Sequence, residues 1–301
     1  MSKATWDAFP DLLDTRFRMA YVDLNTLPLP MARLFTEIGT TKGYEKFTEV
    51  AMGGYLQVKN RSASSFEGTI YQAYDKTLTP TTYSKQYRFE WEAFADDQFG
   101  AFQLAPTSLA QQGIDTQELT KTAILDAGIA GTDTGPDGVS WLNASHPMQA
   151  GGTFANKPGT DIDLSPTAIH DGLIAYEKLP DHFNKPKTGV PRFLVIATNE
   201  KYNAKRYLQS NGLPGSANND LNPWQGELEI VSSPILTDTD AWVILGEPAV
   251  NGLTTLMREQ INLDGWDRDR DTRDLVVSAF GRWTDGYLGH SPSHAFGSTG
   301  G

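Results

Sequence analysis

Residues 136–158 read PDGVSWLNASHPMQAGGTFANKP, and no other stretch of the chain says more about its fold. Asp137-Gly138 is a turn signal, because Gly supplies a positive φ and Asp tolerates tight turns. Val139, Trp141 and Leu142 predict a short apolar strand. Ser145-His146-Pro147 follows, and Gly151-Gly152-Thr153-Phe154-x-Asn156 predicts a tight loop. Nothing here is a catalytic signature. Ser145 and His146 are neighbours, and adjacent side chains usually point apart rather than forming a nucleophile with its base. No Gly-x-Ser-x-Gly elbow surrounds the serine. Gly151-Gly152-Thr153 lacks the lysine of a phosphate-cradling loop. A structural turn is the reading; a hydrolase with its site in residues 137–156 is the alternative.

A second block, residues 214–240, reads PGSANNDLNPWQGELEIVSSPILTDTD and runs into Ala241-Trp242. Together the two blocks resemble the Mu-like major head subunit family of tailed-phage capsid proteins. There an Asp-Gly turn, His-Pro, Gly-Gly-Thr and an Asn precede a Pro-Gly-x-Ala-Asn-Asn-Asp-x-Asn block and a strand pair. The resemblance extends from about Lys46 to Pro292. It implies an α+β chain of the Hong Kong 97-type major capsid fold: an N-terminal arm, an extended E-loop β-ribbon, a P-domain with a long spine helix, and an A-domain.

Composition is compatible with this. A chain of 301 residues can bury a substantial core. No segment approaches the ~20 apolar residues that span a bilayer, and MSKATWDAFPDLLDTRF lacks the apolar core of a secretory signal. The expectation is assembly in the host cytoplasm with no membrane contact. The chain has no cysteine, which excludes disulfides, thiolate catalysis and Cys-ligated zinc. Lys plus Arg number 25 against 37 Asp plus Glu, a formal net charge of −12. Such a surface does not attract phosphate backbones, and no Lys/Arg cluster stands out along the sequence. For a container of packed DNA, an acidic wall would not trap the polyanion it must later release.

Phe9, Leu12, Leu13, Phe17 and Tyr21 recur at spacings of three and four, the period of one helical face, until Leu27-Pro28-Leu29-Pro30 ends the pattern. The periodicity reads as a helix docked on its own domain; the resemblance implies an arm that reaches a neighbouring subunit. Tyr83, Lys85, Tyr87, Phe89 and Trp91 alternate with polar residues, predicting a strand with an aromatic face. Thr69–Tyr74 is its expected partner, and a two-stranded ribbon is marginal alone in water. Ala95-Asp96-Asp97 offers a helix start. Gln98–Ala130 predicts a long helix, bent or broken near Pro106 and Gly113, with Phe99, Phe102, Leu109, Leu119, Ala123 and Ile124 on its buried side. Ser165-Pro166 opens another helix, and Phe193–Ala197, Leu228–Val231 and Ala241–Leu245 predict buried strands. Asn199 is the expected cap of the helix containing Tyr202, Arg206 and Leu208. Leu253–Arg258 and Asp274–Arg282 predict strands around Asp267–Asp274 (DRDRDTRD), whose alternating charge reads as a solvated hairpin.

Under the resemblance these segments become residues 1–46 N-terminal arm, 47–95 E-loop, 96–160 P-domain with spine helix, 161–249 A-domain, 250–292 return to the P-domain and 293–301 flexible tail. The resemblance implies subunit-interface roles for Phe9, Phe17, Tyr55, Lys59, Tyr71, Tyr83, Tyr87, Phe89 and Trp91. It implies a homo-oligomer of hexameric and pentameric capsomers closing into an icosahedral shell, with scaffold, portal and decoration proteins as further partners. The shell would enclose DNA without sequence-specific binding, as part of a virion.

Other chemistry is thin. His290 and His294 stand four apart, but Pro292 between them opposes a helix and no third zinc ligand is near. Asp238 and Asp240 lack the remaining oxygen ligands of a calcium loop. No cofactor is expected and no catalytic residue is assigned. Some relatives join an E-loop Lys to a neighbour's Asn. Lys59 and Lys76 lie in that region, with Asn143 or Asn156 as acceptors, but exposed lysines for solubility are the ordinary reading. A tail tube or decoration protein is a further alternative, disfavoured by the long helix.

Overall fold

Phe193–Ala197 shows how this chain buries apolar residues. Phe193, Val195 and Ala197 point into one hydrophobic cluster, and Leu194 and Ile196 into another on the opposite face. A strand buried on both faces needs a continuous apolar run rather than alternation. The computed structural model describes residues 29–301 except Gly54, Ala63, 98–101, Thr188 and 213–219. The elements in order are β1 (Thr36–Gly39), β2 (Glu45–Met52), β3 (Ile70–Leu78), β4 (Thr81–Phe89), α1 (Trp91–Ala95), α2 (Ala105–Ala130), β5 (His146–Pro147), β6 (Thr153–Phe154), α3 (Pro166–Glu177), β7 (Pro191–Ala197), α4 (Lys201–Leu208), β8 (Glu229–Ser233), β9 (Trp242–Gly246), α5 (Pro248–Asn251), β10 (Leu253–Arg268), β11 (Leu275–Tyr287) and β12 (Ala295–Ser298).

Two four-stranded sheets carry the body. The first sheet runs β12-β9-β7-β8, and the second runs β1-β10-β11-β4. Helix α3 covers one face of the first sheet, with Ser165 Oγ accepting from Ala168 N at 3.1 Å as its cap. The other face meets the C-terminal half of α2 through Leu125 and Ile129. Helix α2 starts at Ala105 with Pro106 in its first turn rather than breaking there, because a first-turn proline loses no intrahelical bond. It ends at Gly131, whose φ of 68° suits the left-handed cap.

Several expectations are corrected. The strand containing Tyr83–Phe89 does not pair with residues 69–74. It is β4, an outer strand of the second sheet, in register with Leu275–Trp283 of β11. Trp91 leaves that strand and opens α1, so Ala95–Asp97 closes a helix instead of starting one. The two-stranded ribbon is β2 with β3, whose last residue is Leu78, and residues 81–89 belong to a four-stranded sheet. Leu119 and Ala123 face solvent; the buried face of α2 carries Glu118, Lys121 and Thr122 instead. Residues 139–142 form no strand, although Trp141 and Leu142 are buried as expected. Glu200, not Asn199, occupies the position before α4, without a side-chain cap. Residues 293–301 include β12, paired to β9 with Ala295 and Phe296 buried, and so are no tail. The arm's residues 1–28, including Phe9 and Phe17, lie outside the described residues, as does Phe99.

Candidate assembly surface

The ribbon β2–β3 leaves the body as an antiparallel pair in the register Glu45↔Leu78 to Met52↔Ile70. Strand periodicity gives it two unlike faces. Glu45, Phe47, Glu49 and Ala51 turn toward the body, and Lys46, Thr48, Val50 and Met52 turn to solvent. The outward side and the turn beyond it carry large apolar groups that stay exposed among the described residues: Met52 68%, Tyr55 73%, Leu56 103%, Val58 91%, Phe66 59% and Ile70 65%. Apolar groups this size gathered on one projecting segment mark an interaction surface.

The inward face is gripped by the loop between α3 and β7. His182 Nε2 meets Glu49 Oε1 at 2.9 Å, and the His182 ring packs on Tyr74 at 5.5 Å. Phe183 packs on Tyr71 at 5.6 Å, and Lys185 Nζ lies 5.1 Å over the Tyr55 ring. Tyr74 donates its hydroxyl to Pro147 O at 2.7 Å. Behind this clasp, Lys187 donates to Ser293 Oγ and to His294 Nε2. Burial pushes the Lys187 ammonium down to about 8. Burial, then the Lys187 charge, pushes His294 down to about 3 and His290 down as well, although Glu49 pulls His290 the other way.

The stretch 136–158 supports the clasp from below. Gly151 and Gly152, at φ 90° and 85°, turn β5 back onto β6. His146 is fully buried and stacks on Phe154 at 5.0 Å. Its Nδ1 lies 2.6 Å from Asp137 Oδ2 and its Nε2 lies 3.1 Å from Asn156 Oδ1. Asn156, also fully buried, donates to Trp141 O at 2.8 Å and Pro292 O at 3.0 Å, and accepts from Asn143 N at 2.8 Å. Trp141 in turn lies against Gly128 of α2, where a Cβ would stand 2.8 Å from its ring. Both imidazole nitrogens are thus engaged in a knot joining residues 136–158, α2 and the 288–294 segment. Ser145 is exposed. The pair does not make a nucleophile and base.

The structure separates the predicted interface residues. Tyr55 and Lys59 are exposed on the E-loop, and Tyr71 is half-buried in the clasp. Tyr83, Tyr87 and Phe89 find cover in their own chain. Tyr83 stacks on Trp283 at 4.3 Å, Tyr87 accepts from Gln112 Nε2 at 2.8 Å, and Phe89 is 7% exposed against Phe102. The idea that this aromatic face requires a neighbour is therefore corrected. Trp91 lies beneath the Arg268 guanidinium, 4.2 Å from its ring centre. The sequence reading missed Met52, Leu56, Val58, Phe66 and Ile70, because single apolar residues among Gly, Ser and Asn show no period. The hairpin at DRDRDTRD is confirmed at the tip of β10–β11, tied to β4 by Arg88 with Asp269 at 3.0 Å.

This arrangement, two four-stranded sheets packed with a long helix and accompanied by a separate two-stranded ribbon, is the Hong Kong 97-type capsid fold. The capsid of cyanophage P-SCSP1u matches with a TM-score of 0.62 at 11% identity, over 95% of this chain and 92% of that one. The bacteriophage JBD30 capsid matches with a TM-score of 0.58 at 12% identity, over 76% and 98%. The capsid of phage XM1 matches with a TM-score of 0.55 at 12% identity, over 95% and 100%. The family model described as phage capsid protein matches residues 73–286, well over half of the chain, and the chain belongs to that family. It is a capsid protein and a component of a virion. No curated protein sequence matches it.

Proposed function

We propose that this chain is a major head subunit whose E-loop ribbon lies across an adjacent copy, and that copies join as hexamers and pentamers of an icosahedral shell around double-stranded DNA. The resemblance of the blocks at 136–158 and 214–240 to Mu-like head subunits supports this reading. The observation carrying this reading is the uncovered apolar set from Met52 to Ile70 on a ribbon whose other face is fastened to its own body. A lone chain gains nothing from exposing Leu56 and Val58, whereas a repeated contact buries them at each subunit junction. Interfaces of ordinary size, summed over a closed particle, then supply its durability without cysteine. Tyr55 and Lys59 belong to the contact. Tyr71 acts by holding the ribbon.

The test is negative-stain microscopy of the purified full chain beside a Leu56→Asp/Val58→Asp variant. Shells from the parent and well-folded, unassembled protein from the variant are expected. Normal shells from the variant would remove the E-loop from the contact.

A further inference from the structure

Lys121 of α2 and Asp285 of β11 are both buried, yet their contact is a poor one for two desolvated charges. Lys121 Nζ lies 3.7 Å from Asp285 Oδ1, an ion pair but too long for a hydrogen bond. The carboxylate's short bonds go elsewhere: Thr255 Oγ1 donates to Oδ1 at 2.5 Å and Thr120 Oγ1 to Oδ2 at 2.6 Å. The ammonium also lies over the Phe35 ring, 6.0 Å from its centre. A buried ion pair offsets its desolvation only where the two charges meet in close, well-bonded geometry. Glu118 stands one turn before Lys121 on the same buried face of α2. Its Oε1 accepts from Met31 N at 2.9 Å, and its buried Oε2 has no hydrogen-bond partner among the described residues. Burial raises this carboxyl, against the pull of the Met31 amide and of Lys121. A carboxyl so placed is suited to holding and passing a proton.

We propose that Lys121 and Asp285 condense into an isopeptide bond within one chain, with Glu118 as the proton relay. Lys121 passes one proton to Asp285, leaving a neutral amine beside a carboxylic acid. The nitrogen lone pair forms a bond to Cγ, and the C=O electron pair moves onto oxygen, where a threonine hydroxyl stabilises it. Glu118 takes one proton from the nitrogen and gives one to the hydroxyl on the same carbon. That C–O bond breaks and water leaves. Nothing is oxidised or reduced, and no co-reactant is needed. Cγ is one C–O bond, about 1.2 Å, from Oδ1, so Nζ lies within about 5 Å of it. The flexible lysine stem has only to close this to the ~3–3.5 Å of a reacting pair. The amide removes both buried charges and leaves the surviving oxygen its threonine donor. It ties α2 to β11 covalently in a chain without cysteine. The bond stays inside one copy, so it is separate from any link made by an E-loop lysine and does not depend on assembly.

The test is intact mass spectrometry of the purified full chain, followed by trypsin digestion. The parent is expected to be one water lighter than its sequence requires and to resist cleavage after Lys121. The digest should contain a branched peptide in which Lys121 carries Trp283–Gly301 through Asp285. Lys121→Arg keeps the charge but presents no amine, and should have the full mass. Glu118→Gln keeps an oxygen for Met31 N but relays no proton. After a short pulse of cell-free synthesis it should close the link about a hundredfold more slowly than the parent, read from the ratio of the two masses. A parent of full mass that trypsin cuts after Lys121 would overturn the proposal. So would a lost water that maps to any other residue. Equal rates in the parent and Glu118→Gln would remove Glu118 from the step.

Discussion

Replacing Asn156 by Ala tests whether the knot at 136–158 holds the body together. The side chain is fully buried and takes part in four hydrogen bonds, to Trp141 O, Pro292 O, Asn143 N and His146 Nε2. Each buried partner left unpaired costs about 1–3 kcal/mol. One water in the vacated space satisfies two or three of them, so one or two remain orphaned and the net loss is about 1–6 kcal/mol. That is a large part of the ~5–15 kcal/mol that ordinarily separates folded from unfolded chains. His146→Ala should cost about 3–5 kcal/mol, because Asp137, whose side chain is 5% exposed, then loses its buried partner. The two changes touch one network, so the double variant should fall short of their sum by about 0.5–3 kcal/mol. Urea unfolding of the purified chain, followed by tryptophan fluorescence, measures all three. An Asn156→Ala variant within about 1 kcal/mol of the parent would refute the reasoning, and so would strict additivity.

Other consequences follow from the same geometry. Tyr83→Ala should lower stability by about 2–3 kcal/mol through loss of its stack on Trp283; an unchanged thermal midpoint with failed assembly would return this residue to an interface. Leu56→Asp should leave the unfolding midpoint within about 0.5 kcal/mol of the parent, since Leu56 is exposed, while shell yield collapses. Stability should also depend on pH through His294. Its folded-state value is pushed down to about 3 from 6.5, so the folded form holds it neutral. That contribution is complete above pH 6.5 and is lost as pH falls toward 3, with a slope of at most about 1.4 kcal/mol per pH unit. Glu118 and Asp126, raised by burial, act in the opposite direction on acidification. Comparing urea midpoints of the parent and His294→Gln from pH 7 to 4 isolates the histidine; parallel curves would exclude it.

The sequence exposes buried strands and hides partners. β7 and β9 are legible because both faces of each are covered, which demands uninterrupted apolar runs. The strand at Tyr83–Phe89 is legible as a strand for the opposite reason, its alternation. Its partner was not, since the residue facing Tyr83 is Gly281 on a distant strand. That glycine carries no pattern, yet a Cβ there would stand 2.8 Å from the Trp283 ring that stacks on Tyr83. β12 was hidden similarly: Gly297 and Ser298 read as tail composition, but a Cβ at Gly297 would stand 2.6 Å from Trp242 O, so close sheet packing requires the glycine.

Helix α2 shows why polarity misplaces a buried face. Its covered side bears Glu118 and Lys121, which any hydropathy argument assigns to solvent. Glu118 Oε1 accepts from Met31 N at 2.9 Å, and Lys121 lies 3.7 Å from Asp285, itself held by Thr255 and Thr120 at 2.5 and 2.6 Å. Burial raises the Glu118 carboxyl, while the Met31 amide and Lys121 hold it down. These pairs join α2 to β10, β11 and the turn that follows the N-terminal segment, so three parts of the chain must be in place before either charge can be desolvated without large loss. Apolar contacts between the same elements tolerate sliding; this network does not. The body that carries the exposed ribbon thus has its register fixed by polar groups.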